Sequence, residues 1–169
     1  DALEKLYSEE AVRHCTKAIE IDSTFAMAHL VLGQAHARAF NTTEAAKSYA
    51  RALRHAVKAT ERERLAIEAQ YEESVDNDRE AAIRIHRELL EKYPREKYAW
   101  NSLGRLYRLK GTHRESIACQ ERALELDPTF GAGLNELAYS YLLMENYERA
   151  LEIFKRYSAL YPDDANPYD

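Results

Sequence analysis

The sequence predicts an all-α protein built from antiparallel helix hairpins that repeat along the chain, on three observations. Of the 169 residues, 46% are hydrophobic and 31% are charged, and there are only five glycines and four prolines, a composition that favours helices over a sandwich or a disordered chain. Apolar and small residues recur three and four positions apart, as on one face of a helix. Similar residues also return with a period of 34 positions, which indicates a repeat array.

The repeat is clearest around the prolines. Pro94, Pro128 and Pro162 are spaced 34 residues apart, and the same step carries Tyr107 to Tyr141. Proline ends a helix because it lacks a backbone N–H and clashes with the preceding turn. Each unit is therefore expected to contain a first helix, A, and a second helix, B, which stops near a proline.

Taken in order, the units form four full repeats and two partial ones. Their predicted boundaries are 1–25 for a partial repeat, then 26–59, 60–96, 97–130 and 131–164, and finally 165–169 for the start of a truncated repeat. Small residues at Gly33, Gly104 and Ala138 are expected to let helix A approach helix B closely. Since neither end resembles a polar cap, we expect a fragment of a longer protein in which Tyr157, Leu160, Tyr161 and Tyr168 have no following repeat.

Polar residues predict where the helices begin and end, through side-chain caps and left-handed end residues. The predicted boundaries lie at Asn41 with Glu44, Thr112 with Glu115, Gly111, Asn77 with Asp78, and Asn146. One join breaks the period, because Gly33 and its counterpart Gln70 are 37 residues apart. The added residues carry another capping box, Thr60 with Glu63, so we predict a helix over about 61–75. The insertion is interpreted either as a drifted repeat or as a change of curvature that shapes the binding face.

The most regular unit reads Trp100-x-x-Leu103-Gly104-x-x-Tyr107, followed by Ala123 and Pro128. This pattern resembles the W-x2-L-G-x2-Y…A…P motif of the tetratricopeptide repeat. The resemblance covers nearly the whole chain and implies a right-handed superhelix whose concave groove, lined by helices A, binds peptides. A fainter resemblance, over residues 59–111, is to repeat regions of bacterial serine/threonine kinases or winged-helix regulators.

Charge and cysteine content argue against several classes of protein. The net charge is -5 and the isoelectric point is near 5.7, so we expect no nucleic-acid partner and no anionic membrane partner. We expect no signal peptide, because the first residues are neither basic nor apolar enough, and no membrane span, because no apolar run approaches about 18 residues. Cys15 and Cys119 lack metal or redox spacing and are expected to be small buried residues in a reducing, cytoplasmic compartment.

Motifs for chemistry are also missing from the sequence. There is no phosphate-binding loop, dinucleotide fingerprint, zinc-protease motif or serine-hydrolase elbow, so we predict that the protein is not an enzyme and takes no cofactor. His29 and His36 lie two turns apart on one helix, too far to chelate one metal. Residues 68–80 are acidic but lack a calcium-loop pattern. The basic helix B over 47–58 is opposite in charge to residues 61–80, and we expect ion pairs between repeats.

The candidate binding surface consists of helix A residues outside the packing positions, a mixture of aromatic, amide and guanidinium groups. They are Gln34, Arg38, Tyr71, Tyr98, Asn101, Arg105, Arg108, Asn135 and Tyr139. Asn101 and Asn135 share one register, which suits amide pairing with a peptide backbone. The arginines suit a carboxylate, and the tyrosines suit apolar side chains. The alternative is a solvated surface with hydrogen bonds between repeats.

Two function classes remain open. The first is a noncatalytic scaffold that binds a protein or peptide through the helix A groove. The resemblance implies that receptors for chaperone tails carry Lys and Asn at set groove positions. In this chain those positions are occupied by Leu30 and Gln34, Ile67 and Tyr71, or Asn101 and Arg105, so we do not expect such a receptor. The second is a structural spacer in a larger bacterial regulator, which forms homo-oligomers through its tyrosine-rich carboxy-terminal end.

Overall fold

The protein is described by a computed structural model that covers residues 2–162, with side chains from Glu9 onward. The chain forms α-helices joined by short turns, and the described part contains no strand, so the predicted all-α class is confirmed. The helices are α1 (Ala2–Ile21), α2 (Ala26–Arg38), α3 (Thr42–His55), α4 (Glu61–Tyr71), α5 (Arg79–Lys92), α6 (Lys97–Lys110), α7 (His113–Leu126), α8 (Gly131–Leu143) and α9 (Tyr147–Leu160).

The helices fall into two compact units, Asp1–Glu88 and Leu89–Asp169. In the first unit α2 packs on α3 and also lies beside α1 and α4. In the second unit α6 packs on α7 and α8 on α9, while α6 and α8 lie side by side. These pairs are the hairpins from which we propose repeats at 26–59, 97–130 and 131–164. The expected repeat start at 165–169 lies outside the described residues.

One residue in the turn after each described helix A has a left-handed backbone. Gly111 has φ 85°, as predicted, and Asn77 has φ 55°. At the matching positions Phe40 and Glu145 have φ 56° and 59°. Glycine adopts this conformation without steric cost, and Asn tolerates it, whereas a bulky side chain such as that of Phe40 is strained there. The sequence identified the glycine and the asparagine but not the other two residues.

Most of the predicted amino-terminal caps are present. The side chains of Asn41, Asp78 and Asn146 accept hydrogen bonds from backbone N–H groups three residues later. Thr60 and Glu63 form the full capping box, with both reciprocal hydrogen bonds. The predicted box at Thr112 is wrong, because its hydroxyl donates instead to the backbone carbonyl of Tyr107 at 3.2 Å.

The inserted residues lie before Gln70, at the start of α4. The α-helix starts at Glu61, directly after the Thr60 cap, as predicted. It ends at Tyr71 rather than continuing to Val75, and a π-helical segment, Glu72–Asp76, follows. The period is regular again from this point, since Gln70 and Gly104 are 34 residues apart, so the π-helical segment continues the helix and is not part of the insertion. Since Val57 stands where other repeats have proline, α3 ends in a 3₁₀ turn, Ala56–Lys58.

Small residues set the distance between paired helices. A Cβ atom on Gly33 would lie 2.5 Å from the ring of Tyr49, and a Cβ on Gly104 would lie 2.5 Å from Nε2 of Gln120. Tyr49 and Gln120 are both buried, with 3% and 0% of their surface exposed. The close approach predicted at both glycines is therefore confirmed, and the core has no room for another methyl group.

The carboxy-terminal end is less open than predicted. Tyr157 is buried against Leu124, Leu134 and Leu137 of the preceding helices, so its ring is covered without a following repeat. Tyr161 packs its ring on Tyr157 and donates its hydroxyl to the carbonyl of Thr129. Leu160 is exposed, and Tyr168 lies outside the described residues.

Both cysteines are free and buried, as predicted. Burial raises the pKa of the Cys15 thiol above its ordinary value, because an apolar environment disfavours the thiolate. Cys15 is therefore a packing residue with low nucleophilic reactivity at neutral pH.

We predict that Gly104→Ala destabilises the fold although alanine is the better helix former. Helix propensity favours alanine by about 1 kcal/mol, whereas overpacking a closed core costs about 1–3 kcal/mol. Chemical denaturation followed by circular dichroism measures the net effect. If Gln120 is the obstacle, the same substitution should cost less in a Gln120→Ala background, as a double-mutant cycle will show. Equal costs in both backgrounds would contradict this origin of the strain.

Candidate functional site

The candidate residues of the first unit are only partly available to a ligand. Gln34 is half-buried on α2, and Arg38 is exposed near the end of that helix. Tyr71, on α4, packs against the core cluster that contains Leu30 and Ile67. Leu30 and Ile67 occupy positions where chaperone-tail receptors carry polar groups. They are only 5% and 1% exposed. The predicted surface of this unit is thus reduced to Gln34, Arg38 and one side of the Tyr71 ring.

In the second unit, α6 and α8 carry the remaining candidates. Tyr98, Asn101, Arg105 and Arg108 follow one another at spacings of three and four on α6, and therefore share a face of that helix. Tyr98 is 65% exposed, whereas the other three are half-buried. Asn135 and Tyr139 take the same spacing on α8, directly beside α6. The structure therefore brings six predicted side chains onto two adjacent helices.

The two asparagines of this face share an uncommon environment. The side-chain oxygen of Asn101 and that of Asn135 are both buried, and neither accepts a hydrogen bond from any described residue. Their amide nitrogens are not buried and bond to no described residue. The backbone carbonyl of Asn101 accepts from Nε2 of Gln120 at 3.0 Å, which fixes this part of α6 on α7. Each asparagine thus offers free amide donors from a fixed position.

Arg108 has a partner that the sequence did not reveal. Its guanidinium donates to both carboxylate oxygens of Glu136 on α8, through Nε at 2.8 Å and Nη2 at 3.4 Å. The same guanidinium lies 6.0 Å from the ring centre of Tyr139, within range of a cation–π contact. The pair is largely buried, with side-chain exposures of 22% and 14%. The only signal in the sequence was the opposite charge 28 positions apart, which is not a spacing within one helix.

Tyr98 lies in a second small cluster at the start of α6. Its ring packs edge-on against Phe130, with ring centres 5.4 Å apart. The ammonium of Lys97 lies about 5 Å from both ring centres and bonds Asp127 at 2.6 Å. This hydrogen bond is the main reason that the pKa of Asp127 is lowered, with Thr129 contributing, and it raises the pKa of Lys97. The cluster joins the start of α6 to the turn before α8.

A cavity of about 340 Å³ lies among α7, α8 and α9. Its floor is apolar, formed by Leu124, Leu137 and Ile153, and charged residues surround it. Burial, together with the charge of Glu121, raises the pKa of the Tyr141 phenol, which bonds Glu121. The arginines on its rim are engaged, Arg149 by Glu152 and Arg156 by the carbonyl of Pro128. Both arginines on the rim of the cavity therefore already have partners within the protein.

The described residues lack two features that would indicate other kinds of function. Residues 2–162 contain no helix long and apolar enough to cross a bilayer. In the same part of the chain, no three His, Cys, Asp or Glu side chains converge as metal ligands would.

Comparison with known proteins identifies tetratricopeptide repeats in part of the chain. Two profiles described as tetratricopeptide repeat match residues 98–130 and 119–152, and solved structures of such proteins share the fold over nearly the whole chain. Residues 98–152 match the tetratricopeptide repeat family, and the fold of the chain is that of tetratricopeptide repeat structures. The Trp100 to Pro128 motif lies inside the first matched segment, so the resemblance seen in the sequence is confirmed.

Among solved structures, one is YrrB, described as a tetratricopeptide repeat protein with an unusual peptide-binding site. Its sequence is 21% identical to this chain, and the TM-score is 0.58. The match covers 93% of this chain and 79% of YrrB. MamA from Desulfovibrio magneticus is 16% identical with a TM-score of 0.59, over 94% of this chain and 88% of MamA. A chain of the Cut9–Hcn1 complex of the APC/C is 17% identical with a TM-score of 0.69, over 94% of this chain and 31% of that one. These similarities establish the fold.

One curated relative is similar in sequence. Protein bimA of Emericella nidulans is 30% identical over 79 residues, which is 47% of this chain and 10% of bimA. The matched segment thus spans about a tenth of the length of bimA.

We predict that Asp127→Asn flattens the acid limb of the stability profile. The folded-state pKa of Asp127 is lowered, so its stabilisation is present above its ordinary pKa of about 4 and is lost as the pH falls through the folded value. Thermal unfolding followed by circular dichroism from about pH 6 to pH 2 will measure this. Glu148→Gln, on the exposed surface of α9, is the control. An unchanged profile for Asp127→Asn would contradict the expected linkage.

Proposed function

We propose that this protein is a noncatalytic scaffold that binds an extended peptide segment of a partner protein across α6 and α8. The tetratricopeptide repeat fold supports a role in protein interaction. It does not by itself identify a binding site, because one fold carries many functions. The proposal therefore depends on the side chains that α6 and α8 present.

The observation that carries the proposal is the pair Asn101 and Asn135. Adjacent packed helices lie about 8–10 Å apart, and three residues of extended chain span about 10 Å. Two asparagines in one register on neighbouring helices can therefore donate to carbonyls about three residues apart on one peptide. Such contacts recognise the backbone of the ligand, so they hold an extended chain whatever its side chains are.

The neighbouring residues have distinct roles in this proposal. Tyr98 and Tyr139 offer ring surface for apolar side chains of the peptide, and Arg105 lies between them on α6. Arg108 is engaged by Glu136 and lies near Tyr139, so we assign it to positioning that ring rather than to a ligand carboxylate. Gln34, Arg38 and Tyr71 are the corresponding proposed contacts in the first unit.

Two further observations are consistent with this function. YrrB, which shares this fold, is described as having a peptide-binding site. Both cysteines of the present chain are free, which suits a reducing compartment such as the cytoplasm. We propose that the partner is a cytoplasmic protein rather than a nucleic acid.

The proposal is tested with peptides selected on the full chain from a random displayed library. We predict that Asn101→Ala together with Asn135→Ala weakens binding of a selected peptide by at least about tenfold, since two hydrogen bonds of about 1 kcal/mol each are lost. Fluorescence anisotropy measures the affinity. Circular dichroism checks that helicity and melting temperature are retained.

The matched control is Arg114→Ala with Glu148→Ala, two exposed side chains near the starts of α7 and α9. The control should bind the peptide as the unaltered protein does. Equal affinity of the asparagine variant and the unaltered protein would exclude the proposed surface, as would an equal loss in the control.

A second candidate function, self-association, is favoured by one apolar patch. Leu142, Leu143, Met144 and Tyr147, at the α8–α9 turn, are between 39% and 63% exposed. Clustered exposed apolar side chains commonly mark an interface. If the patch joins two copies, light scattering should show the mass rising with concentration, and Leu143→Ser with Tyr147→Ser should return it to that of one chain. A constant monomer mass at high concentration would exclude this function.

A further inference from the structure

We infer a second docking surface, on the outer side of α3, that binds an acidic peptide segment of a partner protein. The surface, here the α3 basic face, consists of Lys47, Arg51, Arg54 and Lys58. It is distinct from the helix A positions of the proposed peptide site, because these residues belong to a helix B and to the 3₁₀ turn after it.

The four cations lie along one side of α3. Their spacings are four, three and four residues, which keep them on one face of a helical segment, and all four are exposed. From the first to the last the face is about 16 Å long at 1.5 Å per residue. Ala50, also exposed between Lys47 and Arg51, leaves a shallow gap in the row. An extended segment of about five residues matches this length.

The other helices B do not repeat this charge pattern. The same positions read Arg84, Glu88 and Glu91 on α5, and Ala118, Arg122 and Glu125 on α7. Their charges are mixed, and Arg122 pairs with Glu125 on its own helix. Residues 42–58 contain four basic side chains and one acidic side chain, in a chain whose net charge is -5. The positive charge is therefore particular to α3.

Two of the four cations of the α3 basic face are engaged by hydrogen bonds or an ion pair, and two are not. Lys47 pairs with Glu44 at 2.6 Å, and Lys58 bonds the hydroxyl of Thr24. Within the described residues, neither Arg51 nor Arg54 forms a salt bridge or a hydrogen bond. The expected ion pairs with residues 61–80 are thus not made by these two arginines. A guanidinium without a partner is ready to hold a carboxylate in a bidentate pair.

Two exposed apolar residues flank α3 in the sequence. Phe40, just before α3, is 92% exposed and has the strained φ of 56°. Val57, in the turn after α3, is 84% exposed. At the position of Phe40, other repeats have Asn77, Gly111 or Glu145, and at the position of Val57 they have proline. An exposed aromatic residue in a strained conformation suits a contact with a partner.

These features favour an acidic peptide over other anions. A carboxylate-rich segment with an apolar residue at each end complements both the cations and Phe40 and Val57. A phosphate backbone offers no counterpart to those apolar side chains. A long polyanion would also meet the acidic remainder of the chain, which disfavours its approach, whereas a short segment touches only the α3 basic face.

The test uses the full chain and two labelled peptides. One has a run of about five Asp and Glu residues flanked by leucines, and the other has Asn and Gln in their place. We expect the acidic peptide to bind at least about tenfold more tightly and to weaken as salt is added. Arg51→Glu with Arg54→Glu should reduce its affinity at least about tenfold, and Phe40→Ser should reduce it a few fold. Fluorescence anisotropy measures all three, and circular dichroism checks folding.

The matched control is Arg84→Glu with Arg87→Glu, which makes the same change of charge on exposed residues of α5 in the same unit. It should change the affinity less than about twofold. The asparagine variant of the proposed peptide site should bind the acidic peptide normally, so failure of one proposal is distinguishable from failure of the other.

Three outcomes would overturn the inference. The first is equal binding of the acidic and amide peptides, and the second is equal loss in the α5 control. The third is tighter binding of single-stranded DNA or of phosphatidylserine vesicles than of the acidic peptide, abolished by Arg51→Glu with Arg54→Glu. That result would assign the α3 basic face to phosphate groups instead.

Discussion

The close contact between Gly104 on α6 and Gln120 on α7 determines the geometry on which the candidate peptide surface depends. Because glycine has no side chain, Gln120 lies where a Cβ would otherwise be, fully buried, and its amide donates to the backbone carbonyl of Asn101. That hydrogen bond fixes the turn of α6 that presents Asn101. One missing methyl group thus connects core packing to the position of a proposed ligand contact.

Electrostatics divide the described surface into compensated and uncompensated parts. In the second unit Arg108 bonds Glu136 and Lys97 bonds Asp127, so these charges stabilise the packing of α6 with α8 and with the turn before it. In the first unit Arg51 and Arg54 have no such partner among the described residues. An ion pair that is already formed contributes to positioning, whereas a free guanidinium is available to a partner. This difference is why Arg108 and the α3 arginines receive different roles, although all are basic residues on helices.

Local features were the easiest to predict from the sequence. The all-α class, the capping box at Thr60, the left-handed Gly111 and the close approach at Gly104 each depend on residues near one another in the chain or on the 34-residue period. The errors have local causes too. Thr112 has two possible hydrogen-bond partners, and its hydroxyl bonds the Tyr107 carbonyl rather than capping α7. The helix after Thr60 changes to a π-helical segment at Glu72–Asp76, a change for which the sequence pattern has no signal.

The sequence by itself determined the helix hairpins and the repeat pattern, because a helical hydrophobic period and a fixed repeat length each leave a linear pattern. Only the tertiary structure decided which polar side chains are available. It paired Arg108 with Glu136, buried Tyr157 and the side-chain oxygens of Asn101 and Asn135, and left Arg51 and Arg54 exposed. The physical reason is that hydrogen bonds and ion pairs form across space, between residues whose separation in the chain follows no helical period.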